Sequence, residues 1–262
     1  MYPVLFQVGG IKIYSYGFML SMTFVVGAWM LTKELNRKKM DPEMVGPIVL
    51  LAIVFGLFGA KLFDVFEYWD RFIKDPVKVF LKGSGLTFLG GFVIGSTAVL
   101  LYLKAMRVPI LKFVDAVCPG LMVGYGVARI GCQLSGDGDY GIPTDLPWGM
   151  AYPHGTVPTT QIVHPTPVYE TLYAFAFGAL LWKLRTRPLP DGSLFFVYLI
   201  ISSLARFSVE FIRVNPTWLF GLSQSQLISL SLAAIGLVGL ILRRNSPVEP
   251  APEEQTTPAV QS

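Results

Sequence analysis

Charge is scarce in this sequence. Only 15% of its 262 residues are Asp, Glu, Lys or Arg, while 53% are hydrophobic and the mean hydropathy is +0.55. Globular domains usually carry roughly 25% charged residues. A water-soluble domain of this length would lack polar residues to cover its surface, so that class is excluded. Cysteine is scarcer still: Cys118 and Cys132 both lie in apolar stretches, which excludes a disulfide framework. The start of the chain has no short basic region followed by a small-residue cleavage site, so no cleaved signal peptide is expected and the first span inserts uncleaved. The net charge is +4 and the pI about 9.0. The basic residues nevertheless form no face interleaved with exposed aromatics, which argues against nucleic acid as a partner.

What the chain does have is long apolar runs. A helix needs about 20 apolar residues to cross a bilayer. Seven stretches qualify, at roughly 14–32, 44–66, 86–106, 112–132, 166–184, 192–212 and 222–242. The expected fold is therefore all-α, a polytopic membrane bundle of about seven helices. The fourth run is expected to be interrupted by the glycine-rich stretch GLMVGYGVARIG. No inverted repeat of the transporter kind is visible.

Basic residues set the orientation, because Lys and Arg accumulate in cytoplasmic loops. Lys33, Arg37, Lys38, Lys39, Lys104, Arg107, Lys112, Lys183, Arg185, Arg187, Arg243 and Arg244 flank one side, 12 in all. The alternate loops hold 6: Lys12, Arg71, Lys74, Lys78, Lys82 and Arg213. The N-terminus is thus expected outside and the C-terminus in the cytoplasm. Residues 133–165 contain no Lys or Arg and many Gly, Pro and Asp, as suits an extracytoplasmic head region. Its Trp148, Tyr140 and Tyr152 fit a membrane–water interface. Residues 1–244 are read as one membrane domain, and the Pro- and Glu-rich stretch 245–262 as a disordered cytoplasmic tail.

Ionisable residues inside apolar runs need a reason, since each costs roughly 3 kcal/mol or more at mid-bilayer. In ARFSVEFIR, Arg206, Glu210 and Arg213 stand at i, i+4 and i+7, within one helical face. The stripe is either a structural ion pair with a snorkelling arginine, or an anion site in which guanidinium forks meet phosphate. Arg129 follows the glycine-rich run and precedes Asp137 and Asp139. It either anchors a helix end or binds a ligand approached closely by glycine backbone. The two aspartates alone are thin grounds for a metal, and none is expected. His164, Tyr169 and Glu170 cluster in HPTPVYE; His164 reads as a structural hydrogen-bond partner, and the intramembrane Glu170 as functional or supporting. Lys61 and Asp64 suit a local i, i+3 pair, Asp115 a helix start beside Lys112, and Tyr14 and Tyr16 an interfacial belt.

These motifs, in this order, resemble the prolipoprotein diacylglyceryl transferase family of bacterial inner membranes. SYGFML is similar to that family's first-span Tyr-Gly motif, FGLFGAKLFDVFEYWD to its Gly-Gly-Arg segment, and GLTFLGGFVIG to its Phe-His-Gly-Gly segment. GYGVARIGCQLSGD resembles the Gly-Arg-x-Gly-Asn signature. HPTPVYE and ARFSVEFIR resemble the His-Pro-x-x-x-Tyr-Glu box and the Arg-x-x-x-Glu-x-x-Arg helix, the two most specific matches. The resemblance implies that Arg129 and Arg206 bind a phosphate, with Tyr16, Lys61, Asp137, His164, Tyr169, Glu170, Glu210 and Arg213 in support. Three positions depart from the pattern: Leu89 replaces a histidine, Cys132 an asparagine and Lys61 an arginine.

The implied reaction moves the diacylglyceryl group of phosphatidylglycerol to the lipobox cysteine thiol of a preprolipoprotein, and glycerol phosphate leaves. Arg129, Arg206 and Glu210 are the expected catalytic residues. With Leu89 unable to act as a base, Glu210, Asp137 and His164 stay open as proton acceptors. No cofactor is implied. A transporter, or a family member that binds lipid or precursor without turnover, is the alternative.

Overall fold

The computed structural model describes residues 1–75 and 87–247. Lys78 and Lys82, the expected start of the third span at residue 86, and the tail from residue 248 fall outside the described residues. Among the described residues, seven long helices lie in the seven predicted spans: α1 (Ser15–Arg37), α2 (Val45–Glu67), α4 (Phe88–Ala105), α5 (Ile110–Ser135), α6 (Thr166–Leu184), α7 (Ser193–Glu210) and α8 (Gln224–Arg243). A short α3 (Trp69–Lys74) follows α2. Among the described residues, five of the long helices are long and apolar enough to cross a membrane, and the run Leu89–Ala105 is a shorter apolar helix. Side chains such as Val25, Leu50, Phe58, Leu101, Leu237 and Ile241 are exposed on these helices, a surface that only lipid would suit.

Small strands join the helices. The pairs β1 (Val4–Val8) with β2 (Ile11–Tyr14), β3 (Met150–Tyr152) with β4 (Thr159–Val163), and β5 (Thr217–Leu219) with β6 (Leu222–Ser223) are each antiparallel. The all-α expectation thus gains three hairpins. The first turns on Gly9 and Gly10, both at positive φ, which glycine adopts without strain.

The chain divides into two units: Lys39–Phe113, and Met1–Lys38 together with the chain from Val114 onward. In the first, α2 and α4 pack through glycines. A Cβ on Gly59 would strike the Gly90 carbonyl, and one on Gly90 would strike Phe63. Lipid offers no hydrophobic drive for helix association, so such close backbone approach supplies van der Waals contact instead.

In the second unit, α5 is the spine. It runs unbroken from Ile110 to Ser135 with Pro119 inside it, so the expected interruption does not occur. Its glycines are packing positions: Gly120 and Gly124 face α1 at Gly27, Met30 and Thr23, and Gly126 faces Ala174 and Phe175 of α6. A broken helix would also leave backbone groups unsatisfied in lipid. The core lies between α5, α6 and α7, where Cys118, Met122, Ala174, Leu181 and Leu194 are buried against Tyr125, Tyr173 and Phe195. Both cysteines are free and buried.

Candidate functional site

The end of α5, the start of α6, the end of α7 and the start of α8 bring ionisable and polar groups together. Helix α7 ends at Glu210, so Arg213 leaves the helical stripe expected for it and sits in the following turn. A backbone bridge between Gly141 and Arg213 holds it there. The N–H of Ile142 donates to the Ile212 carbonyl at 2.9 Å, and the N–H of Gly141 to that of His164 at 2.8 Å. Residues 141–144 therefore tie the loop after α5 to the start of α6 and the end of α7. A Cβ on Gly141 would strike the Ile212 carbonyl, so only glycine allows this approach.

Glu170 is the hub. Its side chain is fully buried, and it accepts a hydrogen bond from the Tyr125 hydroxyl at 2.8 Å. Three guanidiniums reach the same carboxylate: Arg129 Nε at 3.2 Å, Arg206 Nη1 at 3.2 Å and Arg213 Nη1 at 3.5 Å. Arg129 and Arg206, 77 positions apart in sequence, thus converge on one carboxyl group. A buried carboxylate surrounded by three cations offsets its desolvation by pairing, and it holds the guanidiniums together against their mutual repulsion.

Two further carboxylates complete the cluster. Glu210 pairs with Arg206 Nη2 at 2.8 Å and accepts hydrogen bonds from Ser223 Oγ at 2.6 Å and Asn215 Nδ2 at 2.7 Å. Ser223 also forms a capping box with Gln226 at the start of α8, which fixes its hydroxyl. Arg206 Nη2 donates to Ser225 Oγ at 3.2 Å. Asp139 bridges the other two arginines, pairing with Arg129 Nη1 through one oxygen and with Arg213 Nη2 through the other, the latter at 2.5 Å. Burial would raise the Asp139 carboxyl, but Arg129 and Arg213 outweigh it and hold the group below the usual carboxylate range.

Asp137 lies beside this cluster. It makes none of these arginine pairs; its Oδ1 accepts the Asp139 backbone N–H at 3.3 Å. Burial, with the neighbouring Asp139 charge, pushes its carboxyl above the usual range. Cys132 Sγ lies 3.6 Å from Arg129 Nη1. The ligating atoms of Cys132, Asp137 and Asp139 all lie within 4.8 Å of one another. The donor set fits a cation poorly, because Asp139 is committed to two guanidiniums and Arg129 stands beside the thiol.

The remaining predicted residues fall nearby or elsewhere. Tyr16 opens α1 and packs against Gly131 of α5, near Cys132 and Asp137. His164 Nδ1 lies 3.3 Å from the Tyr169 hydroxyl, which also accepts from Trp148 Nε1 at 2.8 Å. These three side chains line an apolar cavity of about 530 Å³ with Met150, Leu172 and Ile212. Tyr169 and Ile212 directly precede the cluster residues Glu170 and Arg213 in the chain. Lys61 belongs to the other unit, where its Nζ lies 3.2 Å from Asp64. Asp115, expected as a start residue for its own helix, instead accepts the backbone N–H groups of Gly192 and Phe195 at the start of α7.

Asp139 as an arginine partner, Tyr125, Asn215, Ser223 and Ser225 were beyond sequence reasoning. Only Ser223 carried a local signal, the capping-box spacing Ser-x-x-Gln before an apolar run.

A family model described as prolipoprotein diacylglyceryl transferase matches residues 3–242. The phosphatidylglycerol–prolipoprotein diacylglyceryl transferase of Leptospira interrogans is 31% identical over 275 residues, covering 85% of this chain and 86% of its own. That of Clostridium tetani is 32% identical over 240 residues, covering 90% and 96%. That of Nostoc sp. is 29% identical over 249 residues, covering 91% and 88%.

Proposed function

Because the chain belongs to the prolipoprotein diacylglyceryl transferase family, we propose that it moves the diacylglyceryl group of phosphatidylglycerol onto prolipoproteins, with Arg129, Arg206 and Arg213 holding the lipid phosphate. The observation that carries this assignment is the gathering of three guanidiniums on Glu170. The acceptor is the lipobox cysteine thiol of the precursor. Its sulfur attacks the glyceryl carbon, the C–O bond to phosphate breaks, and glycerol phosphate departs with the electron pair. Charge grows on the leaving phosphate, so fixed guanidiniums are the largest catalytic contribution.

The thiol, with an ordinary pKa near 8.5, must lose a proton. Leu89 cannot take it. Glu210 already accepts from Ser223 and Asn215 and pairs with Arg206, and His164 faces Tyr169. Asp137 makes no arginine pair and has a raised carboxyl, so it is the better-matched base. Residues 133–165 form the extracytoplasmic head, the N-terminus lies outside and the C-terminus in the cytoplasm, in keeping with the charge of the loops. The apolar cavity beside Tyr169 suits an acyl chain or the apolar part of the precursor.

The test is thiol alkylation of a lipobox peptide by the purified protein in phosphatidylglycerol micelles. The expected result is a diacylglyceryl mass gain with equimolar glycerol phosphate. Leu89 favours a second reading, a member that binds lipid or precursor without turnover; an unmodified peptide and failed complementation of a transferase-depleted cell would establish it.

A further inference from the structure

Three guanidiniums pair with three carboxylates at the site, so the paired groups balance one another, and Asp137 stands beside them outside these pairs. A phosphodiester carries one negative charge. Adding it to a balanced cluster leaves one uncompensated anion in a buried place, which is costly. The imbalance disappears if one carboxylate leaves as the phosphate enters.

The three carboxylates differ in their freedom to leave. The side chains of Glu170 and Glu210 are 0% and 1% exposed, and each stands on a helix, tied by three or more partners. Asp139 is 29% exposed and sits in the loop after α5. Its backbone is fixed, since Thr166 Oγ1 donates to its carbonyl and its N–H donates to Asp137. Rotation of the side chain alone releases it.

Its geometry is also that of a substitute. One oxygen of Asp139 meets Arg129 and the other meets Arg213, as the two non-bridging oxygens of a phosphodiester would. We infer that the Asp139 carboxylate is an internal stand-in for the lipid phosphate, occupying Arg129 and Arg213 in the empty site and yielding them when the lipid head group binds. This rests on the reading of the arginines as the phosphate clamp. An empty site closed in this way resists stray anions and keeps the guanidiniums in place between turnovers. The cost is apparent affinity, because only the fraction of molecules with Asp139 turned out is competent to bind.

Asp139→Asn removes the competing charge and keeps the shape. It should lower KM for phosphatidylglycerol about tenfold, as expected if about one molecule in ten is open at rest. Inhibition by free glycerol phosphate should tighten by a similar factor, and uncharged diacylglycerol should bind both proteins equally. Asp139→Glu, which keeps the charge, should hold KM near the wild-type value. A folded Asp139→Asn protein with unchanged or raised KM would overturn the stand-in role.

A structure of the wild-type protein with phosphatidylglycerol bound supplies a test that needs no variant. Asp139 should have left Arg213, with a phosphate oxygen in its place. An intact Asp139–Arg213 pair beside a phosphate bound to other groups would refute displacement. Failure of the clamp itself looks different: Arg129→Ala, Arg206→Ala and Arg213→Ala would all bind phosphatidylglycerol as the wild type does.

Discussion

The same helices carry two buried ionic clusters, one at each end. At one end, Arg129, Arg206 and Arg213 crowd around Glu170, Glu210 and Asp139. At the other, Glu34 is fully buried between Arg37 and Arg185, and Lys38 lies 3.8 Å from both Asp115 and Asp191. The second cluster closes on itself. Asp115 is saturated by the backbone amides of Gly192 and Phe195 at a helix start, where a carboxylate is favoured, and Arg185 is stacked on Trp182 at 3.4 Å. The first cluster spends no carboxylate on a helix start. Its three arginines converge on Glu170, where Glu34 at the other end holds two, and Asp139 bridges two of the three. Burial of charge in a membrane protein therefore does not by itself mark a site. What separates the two is that one gathers three guanidiniums on a single buried carboxylate.

The sharpest break between the clusters should come from arginine removal. Arg206→Ala or Arg129→Ala should lower the transfer rate by about 10²–10³-fold or more, the scale expected for loss of charge stabilisation at a leaving group. Arg185→Ala at the closed end should leave the rate per folded molecule unchanged. Near-normal turnover by Arg206→Ala would erase the distinction.

Next in size is the hub. Glu170→Gln leaves three guanidiniums without their common anion and should cost about 3–5 kcal/mol of stability as well as activity. Asp115→Asn should lower stability by about 1–3 kcal/mol through its two amide contacts, without touching kcat. Thermal unfolding beside turnover separates these outcomes; loss of kcat in folded Asp115→Asn would contradict a purely structural role.

A smaller effect concerns pH. The Asp137 carboxyl is raised, first by burial and then by Asp139, so as a base it works above that raised value and fails as pH falls through it. The acid limb of kcat should therefore lie above the ordinary carboxylate range and vanish in Asp137→Asn, which retains little activity. Asp139 runs the other way. Held low by Arg129 and Arg213, it adds stability that is fully present above the ordinary carboxylate pKa and lost as pH falls through its depressed value. The smallest expected change is Cys132→Ser, which should stay active because the reacting thiol belongs to the precursor.

The seven helices were legible because each is a long apolar run, and hydropathy reads length and composition directly. The hairpins were less so. The stretch VLFQVGGIKIY does set two strand-prone runs around a two-residue glycine turn, a hairpin signal that the surrounding hydrophobicity masks. The glycines of α5 carried a misleading signal: in water they would weaken a helix, whereas here they admit α1 and α6. Within the site, Arg206 and Glu210 were readable from i, i+4 spacing on one helix, and Glu170 from its cost in lipid. The bridge from Asp139 to Arg129 and Arg213 was not, because it depends on the Gly141–Arg213 pairing between segments some 70 residues apart. Spacing also placed Arg213 on the helix that in fact ends before it.

Arg129 and Arg206, distant in sequence, are proposed to act on one phosphate. A double-mutant cycle on transfer rate, with Arg129→Ala, Arg206→Ala and the pair, measures this directly. Coupling of about 0.5–3 kcal/mol is expected, with the double variant losing less than the two single losses combined. Strictly additive losses would mean that the two arginines serve separate ends.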